Sequence, residues 1–141
     1  MNVQDTCTFC DRERNHLAQT PIVFAFEDEY PVSRGHVLVV PRRHVATYFD
    51  CTDDEKAEIW KMIDRVRAVI IDLHAPDGFN VGFNAGRAAG QTVPHAHLHV
   101  IPRYDGDVDD PRGGIRGVIP AKQNYARAAD QAKRLDRGVE P

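Results

Sequence analysis

The chain has 141 residues, is 42% hydrophobic and 28% charged, and carries a formal net charge of -3. That size and composition suit a single domain over 1–141, with a core that needs no disulfide staples. The mild acidity gives no electrostatic reason to expect a nucleic acid polymer or an anionic membrane as partner, but leaves room for a small anion held by local donors.

The start, "MNVQDTCTFCDRER", has no apolar signal-type run, and no stretch approaches the roughly 18 apolar residues of a membrane span. The expected location is therefore cytoplasmic. Of the three cysteines, two form Cys7-x-x-Cys10. In a reducing compartment that pair reads as a metal clip or a redox pair before it reads as a structural disulfide. Cys51, alone before a helix, reads as a small, partly buried residue.

"PIVFAFED", Pro21 to Asp28, is rich in Val, Ile and Phe and predicts a strand; His36 to Val40 predicts a second, stopped by Pro41. The intervening "YPVSRG" has Pro and Gly turn chemistry, so the two should form a hairpin. Thr52-Asp53-Asp54-Glu55 is a capping box with acidic residues at the positive end of the helix dipole. Ile59, Trp60, Ile63, Val66, Ile70 and Leu73 then recur at steps of three and four, and Pro76 ends the run. This helix should lay that face on a sheet. "GFNVGFNAG" resumes strand character, "GRAAGQTVP" is a Gly-rich connection, and a histidine-bearing strand runs to about Tyr104. An acidic loop, "DGDVDDPRGG", precedes a charged surface helix predicted over Ala121 to Gly138. Mixed elements joined by hairpin-length links indicate an α+β fold with a mainly antiparallel sheet.

"VPHAHLHVIPR" places His95, His97 and His99 at alternate positions, so on a strand they share one face, with Ala96, Leu98 and Val100 on the other. Three uses compete: a solvated row, a metal site, and nucleophilic or acid–base catalysis. Three imidazoles in register make the solvated row the weakest, and spacing alone does not separate the other two. Asn84, Gln91, Thr92 and the exposed amides of the Gly-rich turn could hold phosphate oxygens beside them. A tetrahedral zinc set that does not need all three histidines is also present: Cys7 and Cys10 with His44 and His95. It would clip the N-terminus to the sheet and leave His97 and His99 free.

"HAHLHVI" has the form His-φ-His-φ-His-φ-φ, and with "VSRGHVLVVPRRH" and "GQTVPHAHLHVIPR" it resembles the histidine triad (HIT) family of nucleotide hydrolases and transferases over about residues 7–107. The closest likeness is to the dinucleoside polyphosphate hydrolase branch, including the fragile histidine triad proteins. The resemblance implies a five-stranded antiparallel sheet and a homodimer acting on a small-molecule nucleotide. It implies that His97 attacks the α-phosphate of a dinucleoside polyphosphate or nucleoside phosphoramidate, giving a nucleotidyl-histidine intermediate. His99 would bind the phosphate and leaving group, His36 support the triad, Asn84, Gln91 and Thr92 hold phosphate oxygens, and Asp28 take the ribose hydroxyls. Some bacterial members carry structural zinc through residues that match Cys7, Cys10, His44 and His95. Adenine is the default base, and the segment that shapes the base pocket in the family, here between Cys10 and Pro21, is short. A phosphorylase using inorganic phosphate, or a non-catalytic nucleotide sensor, are the alternatives.

Overall fold

A computed structural model describes residues 6–10, 14–127, 129 and 133. The described chain divides into two compact units between Tyr104 and Asp105. The first holds five strands: β1 (Ala18–Gln19), β2 (Val23–Glu27), β3 (Val37–Pro41), β4 (Gly78–Gly82) and β5 (Leu98–Arg103). They form one sheet in the order β1-β2-β3-β5-β4, every neighbouring pair antiparallel. The expected α+β fold with a five-stranded antiparallel sheet is the one observed, and β2 and β3 form the expected hairpin.

Strand alternation sorts the side chains onto two faces. Val23, Ala25, Val37, Val39, Leu98 and Val100 face a single helix, α1 (Asp53–His74), and form the main core with Ile59, Met62, Ile63, Val66 and Ile70. Each of these larger aliphatic side chains contributes roughly 1.5–3 kcal/mol by leaving water. On the opposite face Phe24, Phe26, Leu38 and Val40 form a second apolar cluster that Phe9 joins. Cys51 is buried in the main core, as its sequence context suggested.

α1 starts where expected. Thr52 accepts from the Glu55 amide at 3.2 Å, and Glu55 accepts from the Thr52 amide at 2.8 Å. Glu55 also receives a two-pronged contact from Arg43 (2.8 and 2.9 Å), which ties the segment after β3 to the helix start and holds the Glu55 carboxyl below its usual range. The helical periodicity needs one correction: Trp60 is 49% and Leu73 58% exposed, while Met62 takes a core place. At 100° per residue Trp60 falls beside the core stripe rather than in it, and Leu73 lies in the last turn of the helix. Gly35, at φ +84°, closes the turn before β3, where a Cβ would stand 2.6 Å from His74 Cδ2.

β5 also begins later than the histidine pattern predicts. Pro94 has no amide to give a ladder, His95 N donates to Val93 O at 2.8 Å, and Ala96 N donates to Val45 O at 2.7 Å. His95 and His97 therefore stand in the bent approach to the strand, and His99 is the one within it.

In the second unit, two short 3-10 turns (Gly114–Val118 and Pro120–Lys122) precede a helical turn at Tyr125. Asn124 Oδ1 caps that turn through the amides of Ala126 and Arg127, at 3.1 and 3.2 Å. The helix expected from Ala121 thus begins four residues later, and most of the remainder to Gly138 lies outside the described residues. No helix among the described residues is long and apolar enough to cross a membrane.

Ala75 ends α1 in the left-handed region at φ 46°, ψ 55°, a conformation that strains a Cβ. Ala75→Gly should stabilise the protein by about 0.5–1 kcal/mol, read as a higher denaturant midpoint with an unchanged slope. A lower midpoint would show that the unfolded-chain entropy of glycine outweighs the relieved strain.

Candidate functional site

The three histidines leave the sheet on one side but reach two destinations. His95, 0% exposed, turns into a cluster with Cys7, Cys10 and His44, and the four potential ligand atoms lie within 4.8 Å of one another. His95 Nδ1 stands 3.4 Å from Cys7 Sγ and 3.5 Å from Cys10 Sγ, and His44 Nδ1 stands 3.3 Å from Cys10 Sγ. A tetrahedral zinc ion with ordinary bond lengths places sulfur and nitrogen ligands about 3.5 Å apart, so the donors fit such an ion. The tautomer fits as well. His95 Nε2 lies 2.8 Å from the Pro41 carbonyl, which only accepts, so Nε2 carries the proton and Nδ1 turns a lone pair toward the sulfurs. Burial lowers the His95 imidazole against the opposing pull of the Pro41 contact, which favours the neutral ring that a ligand must be. Burial and the adjacent Cys7 sulfur push the Cys10 thiol up to about 11, a cost that a divalent cation between the two sulfurs would reverse.

His97 and His99 line a cleft of about 410 Å³ on the sheet face opposite α1. Its floor follows from register: Phe26 pairs with Leu38, and Leu38 with His99. His97 is 8% exposed, and its Nδ1 lies 2.7 Å from the His95 carbonyl oxygen. That oxygen only accepts, so Nδ1 carries a proton, and the neutral ring's lone pair is at Nε2.

His99 is set the opposite way, through a relay. The Val32 amide donates to His36 Nδ1 at 3.2 Å, which puts the His36 proton on Nε2. His36 Nε2 then donates to His99 Nδ1 at 2.9 Å, which leaves the His99 proton on its own Nε2. Burial, and the repulsion that neighbouring His97 and His36 would exert if protonated, push the His99 imidazole down to about 4, so the ring is neutral near pH 7. Burial also lowers His36, against the pull of Asp28, whose Oδ2 is 3.6 Å from His36 Nε2. Asp28, His36 and His99 are close enough to resemble a second ligand cluster. Both His36 nitrogens are already committed, one to the Val32 amide and one to His99, so His36 and His99 read as a hydrogen-bonded pair with Asp28 beside them rather than as a ligand set.

The other sequence candidates fall as follows. Asp28 and Thr92 line the cleft. Gln91 braces the Gly-rich loop instead: its Nε2 donates to the carbonyls of Ala46 (2.6 Å) and Val93 (3.0 Å), and its Oε1 accepts from Gly86 N. Asn84 is half-buried and outside the cleft lining. Sequence reasoning missed Thr8, Phe9, Arg14 and Phe26 as cleft residues. The alternation of Phe24 and Phe26 against Val23 and Ala25 was the available signal for the last of these. Nothing local marked the first three.

Fold and site together define an α+β protein with a histidine-lined cleft and a cysteine–histidine cluster beside it. Residues 11–106 match the HIT domain family, and the chain belongs to that family. The matched span contains all five site histidines but begins after Cys7 and Cys10. The chain is 40% identical over 100 residues to the AP-4-A phosphorylase of Mycobacterium tuberculosis, covering 70% of this chain and 51% of that protein. It thus spans about half the length of that relative. It is 37% identical over 122 residues to the bifunctional bis(5'-adenosyl)-triphosphatase/adenylylsulfatase FHIT of Arabidopsis thaliana, covering 86% of this chain and 68% of that one. Among solved structures, a Zn-bound histidine triad family protein from Mycobacterium smegmatis matches with a TM-score of 0.66 and 32% identity, over 74% of this chain and 79% of that chain.

The donor set predicts one zinc per chain in protein purified without a histidine tag. Cys10→Ser should lose that metal and lower the melting temperature, because the ligands come from distant parts of the chain. Zinc well below one equivalent, with Cys7 and Cys10 both reactive to a thiol reagent, would contradict the assignment.

Proposed function

We propose that the protein is a nucleotide hydrolase or nucleotidyltransferase that cleaves at the α-phosphate of a dinucleoside polyphosphate or nucleoside phosphoramidate. The observation that carries this reading is the opposite setting of two adjacent rings. His97 offers a lone pair at Nε2 and His99 a proton at Nε2, with ring centroids 5.2 Å apart, on one cleft. A nucleophile beside a neutral donor suits attack on phosphorus. The His97 lone pair forms a bond to the α-phosphorus as the bond to the leaving group breaks, its electron pair departing with that group. Water or inorganic phosphate then attacks the nucleotidyl-imidazole, and the His97 lone pair is restored. His99 donates to a phosphoryl oxygen or the leaving group, and His36 holds His99 in the donating tautomer as a positioning residue.

Asp28 lines the cleft with Oδ1 accepting from Tyr30 N at 2.9 Å and Oδ2 standing 3.6 Å from His36 Nε2, and its carboxylate takes a ribose hydroxyl. Thr92 supplies a phosphate contact, Gln91 holds the loop that carries it, and Asn84 is the remaining candidate for a phosphate contact. Cys7, Cys10, His44 and His95 hold a structural zinc, which supplies cohesion between the N-terminal turn and the sheet. A second acceptor reading, phosphorolysis, is favoured by the name of the mycobacterial relative. Incubation with diadenosine polyphosphates and adenosine phosphoramidate, with and without inorganic phosphate, separates the two by their products.

His97→Gly should lower turnover on the order of 10³-fold or more while leaving nucleotide binding within a few-fold of wild type. Intact-mass analysis of wild type after a non-acidic quench should find a nucleotidyl adduct that the variant lacks. Near-normal turnover in the variant would refute the covalent route.

The protein is further proposed to act as a homodimer. Beside the core face of α1, Trp60 and Phe49 (67% exposed) form an aromatic patch with Tyr48 and Phe83. Trp60 Nε1 donates to Tyr48 Oη at 3.1 Å, and β4 ends the strand order of the sheet. A second copy would cover both. Light scattering should give twice the 15.8 kDa of one chain, and Trp60→Glu should shift it toward the monomer. A single-chain mass for wild type at micromolar concentration would refute the dimer.

A further inference from the structure

The cleft has two walls with different supports. On the sheet side, His97 is held by the His95 carbonyl, His95 by the Pro41 carbonyl, and Ala96 N by the Val45 carbonyl, all among buried residues. The facing wall is the turn Cys7-Thr8-Phe9-Cys10, closed by Cys10 N donating to Cys7 O at 3.0 Å. Its two sulfurs enter the cluster with His44 and His95, while Thr8 and Phe9 line the cleft. The Phe9 ring stands edge-on to His97, with centroids 5.0 Å apart, and to Phe26 at 5.6 Å. Arg14, itself in the cleft lining, braces the turn: Nη2 donates to Thr8 O at 3.1 Å, the guanidinium lies 4.4 Å from the Phe26 ring centroid, and Nη1 pairs with Glu29 at 2.9 Å.

We propose that the metal clip sets nucleotide affinity: binding of Cys7 and Cys10 fixes Thr8 and Phe9 as a wall of the cleft, and emptying the clip frees that wall while His97 stays oriented. This rests on the assignment of the cleft as a nucleotide site. Phe9, Phe26 and Leu38 present an aromatic and apolar surface suited to the face of a planar base. A turn fixed beforehand by the clip adds nothing to the entropy cost of binding, whereas a free turn must be ordered by the ligand. The cleft-facing residues of the turn sit between the two ligand positions, so metal occupancy and the pocket wall cannot be set independently. His97 depends on the His95 backbone and on Pro41 and Val45, which belong to the sheet and the segment after it.

AMP binding by calorimetry tests this with three samples: zinc-loaded wild type, chelated wild type held well below its melting temperature, and Phe9→Ala verified to carry one zinc. The last two should each bind AMP about tenfold more weakly. In turnover of a diadenosine polyphosphate, both should raise KM by a similar factor with kcat within about threefold. Phe9→Leu should recover part of the affinity. Chelating Phe9→Ala should add little further loss, because metal and ring act through one wall. Zinc-loaded Phe9→Ala binding AMP like wild type would overturn the proposal, as would chelated protein that keeps its affinity or loses kcat alone. Zinc-loaded wild type with no affinity for AMP or any dinucleoside polyphosphate would remove the nucleotide assignment itself and this proposal with it.

Discussion

Everything at the site passes through His95. Its Nε2 proton is held by the Pro41 carbonyl, its Nδ1 faces two sulfurs, and its own carbonyl holds the His97 proton. A fully buried imidazole left without partners would cost several kcal/mol, and here both nitrogens and the backbone oxygen are engaged. Because a carbonyl can only accept, each contact also decides a tautomer. One β3 carbonyl thereby makes His95 a lone-pair donor toward the clip, and one backbone oxygen makes His97 a lone-pair donor toward the cleft. The same residue thus meets the sulfur cluster and the cleft with different atoms, so the two contacts do not compete.

The sheet keeps those chemistries apart from the core. Even positions of β2 and β3, with His97 and His99 in and before β5, supply the cleft face, while odd positions of β2 and β3 and even positions of β5 supply the helix-facing core. Ala96 and Leu98 are the residues that allow this alternation to run through the histidine segment, since they bury against α1 while their neighbours turn the other way. A shift of one residue in register would put imidazoles under the helix and aliphatic side chains in the cleft. The hydrophobic pattern that stabilises the fold is thus also what aims the histidines.

Much of this was legible in the chain, for physical reasons that differ by residue. The Thr52–Glu55 box is local chemistry, and α1 starts there. The set Cys7, Cys10, His44 and His95 was recoverable because soft cysteine sulfur and imidazole at such spacing suit one metal ion. The HIT motif supplied His36 and Asp28, which no spacing rule would have joined to His99. What escaped was tertiary. Gln91 has two donors that phosphate could use, but two backbone carbonyls reach them first. Trp60 keeps helical spacing yet lands beside the core stripe. Arg14 and Phe9 line the cleft beside Thr8 and Phe26, a tertiary placement that no local pattern encodes.

The His36–His99 contact also constrains the protonation state of the cleft. With the Val32 amide on His36 Nδ1, only the His36 Nε2 proton can occupy the 2.9 Å gap to His99 Nδ1. Protonating His99 would place a second N–H in that gap, opposed to the first, so geometry and burial act in the same direction to keep the ring neutral down to about pH 4. The folded form therefore resists protonation that the unfolded chain accepts near its ordinary value of about 6.5, so this ring's contribution to stability is complete above that value and is lost as pH falls toward 4. At neutral pH the donor at His99 Nε2 is consequently a dipole rather than a charge. On the proposed reading, a neutral donor would stabilise charge that develops during reaction without holding an anionic product as tightly as a full cation would.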